Sequence, residues 1–234
     1  MSAPGIHVVP VDRLELSFVP RGWPFADERR AEIDAHFAQL QRSKPGLWNG
    51  QVLLLHEHAL TARVLRGSFL ATDYASFLAW RDWDFPDAAI RNCFAMAALR
   101  AADGGFLLGV MNAHTANAGR IYFPGGTPDL DDVVDGRVDL AGSICRELKE
   151  ETGLDTAEFA AKPGWYAVIG GARVALIKIL RAKDGAETLG ERILAHLSRE
   201  PQPELADIRV VRGPDDLDPM MPAFVPAFLR HIWA

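Results

Sequence analysis

The chain has 234 residues, 49% of them apolar, enough to bury a core unaided in one large domain or one and a half. A net charge of −6, with no Lys/Arg cluster and no basic stripe interleaved with aromatics, argues against a nucleic-acid partner. No signal peptide stands at the N-terminus and no apolar run approaches the roughly 20 residues of a membrane span, so a soluble, cytoplasmic protein without a membrane partner is expected.

The first 91 residues read as an α+β segment rather than a tail. Ile6 to Val19 alternates in part, is broken by Pro10 and closed by Pro20, and is expected to form one or two short strands. Trp23-Pro24 opens a helix predicted through Ala26 to Arg42, with Ile33, Phe37 and Leu40 at helical spacing and Pro45-Gly46 ending it. Gln51 to His58 and Leu60 to Phe69 read as strands joined by a short reversal. A helix from Tyr74 to Trp80 and a loop rich in Trp and Asp, 81–86, follow. His56 and His58 are spaced to share one side of a strand; without a third ligand nearby, a wetted strand face is the plainer reading than a metal site. Trp80, Trp83 and Phe85 could stack on a ligand, but core or interface packing explains them more simply.

A second unit begins at Asn92. Cys93 to Arg100 is a buried-strand candidate, Asp103-Gly104-Gly105 a hairpin turn and Phe106 to Met111 the return strand. After a polar loop, 112–119, the segment Arg120 to Phe123 brings a strand into Pro124-Gly125-Gly126, where missing side chains let backbone carbonyls approach a metal or phosphate. Residues 127–138 include Asp129, Asp131, Asp132 and Asp135. An Asp-rich surface turn is expected there, with the supply of an extra acid to a metal site as the alternative.

The helix that follows presents two faces. Ala141, Ile144, Cys145 and Leu148 form an apolar stripe, and Glu147, Glu150 and Glu151 fall within about 100° of one another on the neighbouring face. Acids one turn apart repel, and these lie toward the helix C-terminus, where the macrodipole also disfavours negative charge. A cation is therefore expected, and Mg²⁺, which bridges one or two carboxylates to substrate phosphates, fits an all-oxygen cluster. Asp139 is placed to cap the helix and Gly153 suits its left-handed C-terminal cap. Cys93 and Cys145 have no metal-type spacing, and with Cys145 on the apolar stripe both are expected as buried thiols in a reducing compartment.

Pro124-Gly125-Gly126, Arg146-Glu147-Leu148, Glu150-Glu151 and Gly153-Leu154 together resemble the Nudix hydrolase signature, GX5EX7REUXEEXGU with U aliphatic. The second half matches at every fixed position. The first half departs from it, because 20 residues separate Gly126 from Arg146 where the signature has 14, and its first glutamate falls on Val138. The turn Leu47-Trp48-Asn49-Gly50, the strand pair and Thr72-Asp73-Tyr74 are loosely similar to the N-terminal region of Nudix enzymes of the UDP-glucose pyrophosphatase type, whose signature is also expanded.

The resemblance implies an α+β chain built as an α/β/α sandwich, with a Nudix domain over 92–234 and an N-terminal α+β extension over 1–91 packed on it. It implies Mg²⁺-dependent hydrolysis, with Mn²⁺ a substitute, of the diphosphate bond in a nucleoside diphosphate linked to another moiety such as a sugar, a second nucleoside or a CoA-type group. In the family one glycine carbonyl of the loop is a metal ligand, carried here by Gly125, with Glu147 and Glu151 as direct ligands. Glu150 becomes a third ligand or proton acceptor, and Arg146 orients a catalytic glutamate. The competing reading is a nucleotide-binding or regulatory module without turnover, motivated by Val138 at an acid's position and by the long loop. No organic cofactor is implied, and a homodimer is admissible.

Beyond the signature, Trp165 to Gly170 and Arg173 to Leu180 read as strands around Gly170-Gly171, and Glu187 to Arg199 as a helix. A loop from Pro201 to Asp207 leads into the strand Ile208 to Val211, and Phe224 to Trp233 closes the chain as a helix with Pro226 in its first turn. Glu204 resembles, by order along the chain, the acid that the family carries after the signature helix as an extra ligand or as the base for the attacking water.

Overall fold

A computed structural model describes residues 5–234. In chain order the elements are β1 (His7–Val11), β2 (Arg13–Phe18), α1 (Pro24–Glu28), α2 (Arg30–Ser43), β3 (Gln51–Thr61), β4 (Val64–Asp73) and α3 (Tyr74–Asp82). Then come β5 (Asn92–Arg100), β6 (Phe106–Met111), β7 (Ile121–Tyr122), β8 (Val133–Val134), β9 (Arg137–Val138) and α4 (Leu140–Thr152). The chain ends with β10 (Ala160–Ala161), β11 (Trp165–Gly170), β12 (Arg173–Arg181), α5 (Ala186–Leu197), β13 (Leu205–Val211) and α6 (Phe224–Trp233). The fold is mixed α+β.

Two sheets organise it among the described residues. The larger runs β1-β11-β12-β5-β6-β13, with β10 on β12 and β7 on β6; the smaller runs β3-β4-β2-β9-β8. The two central strands of the larger sheet, β5 and β12, pair in parallel from Asn92 and Arg173 onward. Their near-continuous apolar sequences reflect burial on both faces. Cys93, Ala95, Ala97 and Leu99 of β5 face a core shared with α4 and α5, through Leu140, Ile144, Leu148, Leu189 and Ile193. Phe94, Met96 and Ala98 face the opposite core, closed by Val225, Phe228 and Leu229 of α6. This is the expected helix–sheet–helix sandwich.

The smaller sheet alternates in the same way. Leu53 and Leu55 of β3 join the α4-side core, while Val52 and Leu54 pack with Ile33, Phe37 and Trp80 under α2 and α3. Trp80 is fully buried there, so the aromatic cluster is packing.

Several local expectations are corrected. Pro10 lies inside β1, because β1 is an edge strand of its sheet, where a residue lacking an N–H is tolerated; the chain breaks at Asp12 as it passes from one sheet to the other. The single helix expected to open at Trp23-Pro24 opens there but is two helices, interrupted at Arg29 by a non-helical backbone (φ −110°, ψ 21°). The β3–β4 reversal falls later than expected, at Ala62-Arg63, both with positive φ. Between Leu55 and Glu57 a bulge adds one residue to β3, so the alternation slips. His56 is turned inward, its side chain 6% exposed, while His58 stays exposed; the two do not share a face.

The largest departure is the inserted segment. Val133 and Val134 return through Asp135-Gly136, both at positive φ, to Arg137 and Val138, a two-residue hairpin of the Asp-Gly kind. This hairpin joins the smaller sheet: Arg137 pairs with Ser17, and the Phe18 amide donates to the Gly136 carbonyl at 2.9 Å. The Leu53 amide also donates to the Pro128 carbonyl at 2.7 Å. Only part of the insertion is therefore a surface turn, since Asp132 and Val138 are buried.

Candidate active site

The site begins where β5 and β6 stop pairing. Their register holds only at Leu99↔Leu107 and Arg100↔Phe106, and past it the β5 amides of Ala97 and Ala95 donate to the carbonyls of Pro124 (2.8 Å) and Gly126 (3.3 Å) instead. The glycine segment thus lies along β5, and the regular strand before it is shorter than expected, only Ile121–Tyr122. A side chain at Gly125 cannot be added without displacing backbone: its φ is +136°, and a Cβ would fall 2.2 Å from the Ala95 carbonyl oxygen. The carbonyls of Pro124 and Gly126 are spent on β5, and that of Gly125 is not.

α4 is set against this segment. Asp139 caps its first turn, its carboxylate accepting from the amides of Ala141 (3.2 Å) and Gly142 (3.0 Å), and Gly153 closes it at φ +71° with its amide bonded to the Lys149 carbonyl. Both caps are where the sequence puts them. The buried face, however, is rotated from the expected stripe: Leu140, Ser143, Ile144, Leu148, Glu151 and Thr152 are buried, whereas Ala141 and Cys145 are exposed. Glu151 lies about 20° round the axis from Leu140, so it goes down with the apolar residues.

That burial makes Glu151 the centre of the site. It is 6% exposed; Oε1 accepts from the Gly125 amide at 3.0 Å, and Oε2 is buried with no hydrogen-bond partner. Burying an unpaired carboxylate is costly, and burial, opposed in part by the Gly125 amide and reinforced by Glu147, Glu204 and Glu150, holds the Glu151 carboxyl well above the usual range. Glu147 lies one turn back, over Gly126, where a Cβ would come within 3.6 Å of its Oε2. Burial pushes its carboxyl up to about 7, against the opposing pull of Arg146.

Glu147, Glu150 and Glu151 line a cleft of about 160 Å³ together with Leu197, Glu200, Gln202, Pro203 and Glu204. Glu204 reaches it because its backbone is pinned opposite α4: its carbonyl accepts from the Asn112 amide at 2.8 Å, and the Asn112 side chain donates to the Pro203 carbonyl at 3.1 Å. Five glutamates and no basic side chain line this cleft. A larger hollow of about 520 Å³ on the flank of α2 is lined by residues of that one helix and holds no acid.

Four sequence-derived site residues, Glu147, Glu150, Glu151 and Glu204, are therefore brought into one cleft, with Gly125 beside them. Arg146 is not among its lining residues. It turns to the inserted segment, its Nη1 donating to Asp132 at 2.9 Å, and keeps Nη2 3.7 Å from Glu147 Oε1. Sequence reasoning missed one residue that lines the cleft and one that bonds Arg146 behind it. Glu200 stands outside any motif and carried no signal; Asp132 was one of four aspartates of a loop read as surface.

The donor set is all oxygen and strongly anionic, the chemistry of a hard divalent cation. Among the described residues no three acidic, His or Cys side chains converge as a ready-made cage. Mg²⁺ needs no such cage, since it keeps several waters and takes one or two carboxylates plus substrate phosphates. The unpartnered Glu151 Oε2, Glu147 and the Gly125 carbonyl fit that requirement.

No family model matches the sequence, and no curated protein does. Among solved structures the chain is similar to a provisionally assigned nudix hydrolase family member from Chromobacterium violaceum, at 21% identity over 61% of this chain and 78% of that one, TM-score 0.40. It is similar to the Nudix hydrolase RenU from M. smegmatis, at 19% identity over 60% and 83%, TM-score 0.38. A third is a bifunctional NMN adenylyltransferase/ADP ribose pyrophosphatase from Francisella tularensis, complexed with AMP and a Mn ion, at 14% identity over 67% and 44%, TM-score 0.41.

Proposed function

We propose that this chain is a metal-dependent pyrophosphohydrolase of the Nudix type, cleaving the diphosphate bond of a nucleoside diphosphate joined to another moiety. Residues 92–234 form the catalytic unit and 1–91 its extension. The observation that carries the reading is a buried carboxylate, Glu151, with one oxygen fixed by a backbone amide and the other unpaired, at the floor of a cleft lined by four further glutamates. Such a carboxylate keeps its negative charge at neutral pH only when something cationic completes it, and otherwise takes up a proton.

The bound ion, Mg²⁺ or Mn²⁺, supplies neutralisation of the diphosphate oxygens and a more acidic water. Glu147 and Glu151 would hold it, with the Gly125 carbonyl, and Glu150 would be a third ligand or proton acceptor at the exposed edge. Glu204, carried in from the opposite side of the cleft, is the proton acceptor for the attacking water or an additional ligand. Arg146 orients Glu147 from behind. The cleft is too small to enclose a nucleotide, so it takes the diphosphate and leaves the nucleoside and its partner group outside. Its negative charge repels a polyanion that brings no metal, which favours small nucleotide-type substrates over nucleic acid.

The two free cysteines fit a reducing, cytoplasmic setting. The described residues contain no helix long and apolar enough to cross a membrane.

The test is a panel of nucleotide sugars, dinucleotides and CoA derivatives incubated with Mg²⁺, with Mn²⁺ and with EDTA, both products being identified. Metal-dependent cleavage at the diphosphate is expected. Binding without cleavage under either metal overturns the enzyme reading in favour of a silent nucleotide-binding module.

A further inference from the structure

Asp132 belongs to the segment inserted ahead of α4, yet its side chain is 1% exposed. Each of its oxygens is engaged. Oδ2 accepts from the Asp129 amide at 3.1 Å and from Ser143 Oγ at 3.2 Å, and Oδ1 accepts from Arg146 Nη1 at 2.9 Å. The Asp132 carbonyl also accepts from the Asp139 amide at 2.8 Å, at the start of α4. Arg146 is the cation that reaches this buried carboxylate. The planar guanidinium can face two acids at once, and its Nη2 lies 3.7 Å from Glu147 Oε1.

One continuous link results. The hairpin after Asp132 is a strand pair of the smaller sheet, bonded to Ser17 and Phe18, and the segment before it is bonded to Leu53. The N-terminal 91 residues are thus connected to Glu147 through Asp132 and Arg146.

We propose that Asp132 is a positioning residue for the acidic cleft: it holds Arg146 against Glu147, fixing that carboxylate for metal binding, and it anchors this arrangement to the N-terminal sheet. The proposal rests on the reading of the cleft as a divalent-metal site. Its contribution is mechanical and electrostatic; Asp132 itself does not line the cleft.

The experiment is Mn²⁺ titration of the full chain, followed by electron paramagnetic resonance at a temperature where each variant is folded by circular dichroism. Groups that hydrogen-bond to metal ligands typically govern 10–100-fold in affinity, so Asp132→Asn is expected to weaken Mn²⁺ binding by about that factor. Arg146→Lys is expected to do the same, because a point ammonium cannot span both acids. Asp131→Asn, an exposed neighbour in the same loop, is expected to bind as wild type. If Asp132→Asn lowers the melting temperature but binds Mn²⁺ within about twofold of wild type, the residue is merely structural and the proposal is overturned, while the metal reading stands. Should Asp132→Asn not fold, Arg146→Lys decides by the same criterion. A wild-type chain that binds no Mn²⁺ overturns the metal reading, and this proposal with it.

Discussion

The Gly125 amide donates to Glu151 Oε1 at 3.0 Å while Oε2 of the same carboxylate is buried without a partner, so the glycine segment orients an acid that it does not neutralise. Replacing that acid by its neutral isostere keeps the shape and removes the charge. Glu151→Gln is expected to lower turnover at least about 100-fold, the scale for loss of one electrostatic group, with the fold retained. Steady-state kinetics on whichever substrate the panel identifies checks it, and near-normal turnover removes the proposed metal role.

The cleft acids also set a pH dependence. The Glu147 carboxyl is pushed up to about 7 from an ordinary 4.5, and Glu151 is raised well above the same value, both by burial. A raised carboxyl binds its proton more tightly in the folded state than in the unfolded one. Its contribution is fully present below about pH 4.5 and is lost as pH rises through the folded value. In EDTA the melting temperature is therefore expected to fall by about 4 °C or more between pH 5 and pH 8. Mg²⁺, which requires the ionised acids, is expected to raise it more at pH 8 than at pH 5. Glu147→Gln flattens the EDTA profile; a wild-type profile already flat over this window contradicts the burial argument.

The two glycines of the segment should respond differently. At Gly125 a Cβ meets the Ala95 carbonyl at 2.2 Å with φ at +136°, so Gly125→Ala must displace β5 or the segment and is expected to cost about 2 kcal/mol or more of stability in a urea titration. At Gly126 the nearest atom is Glu147 Oε2 at 3.6 Å. Gly126→Ala is expected to fold normally, since that distance is ordinary van der Waals contact. Equal stability of the two variants would show that the close approach to β5 is not a constraint.

Glu204 comes from an exposed loop end, and its side chain makes no hydrogen bond that supports the fold among the described residues. Glu204→Gln is expected to leave the melting temperature within about 1 °C and to lower kcat by about 100-fold, the range for loss of a general base. An unchanged kcat assigns Glu204 to the solvated surface.

Cys93 is fully buried, with its thiol pushed up by desolvation, whereas Cys145 is exposed on α4. A disulfide reagent such as Ellman's is expected to titrate one thiol in the folded chain and two in urea. Two fast-reacting thiols in the folded chain would contradict the buried placement of Cys93.

Much of the scaffold was legible because its signals are local. The β5 and β12 runs, the hairpin into β6, the caps Asp139 and Gly153 and the acids one turn apart on α4 all follow from spacing and side-chain chemistry within a few residues. Glu204 was found by order along the chain alone, and the fold carried it to the cleft. The Asp-Gly turn at 135–136 was equally local, and could have identified the inserted hairpin had the aspartates around it not suggested a surface loop.

The sequence by itself determined that Glu147, Glu150 and Glu151 share one side of α4, because helical spacing fixes the angles between them wherever the helix lies. Only the tertiary structure decided which acid is buried. Periodicity gives the angle between residues on one helix but not the rotation of that helix against its neighbours, and here packing on β5 turned Glu151 inward and Cys145 out. The pairing of Asp132 with Arg146 was likewise beyond the sequence, since it depends on a hairpin bonding to a sheet formed more than 100 residues earlier in the chain.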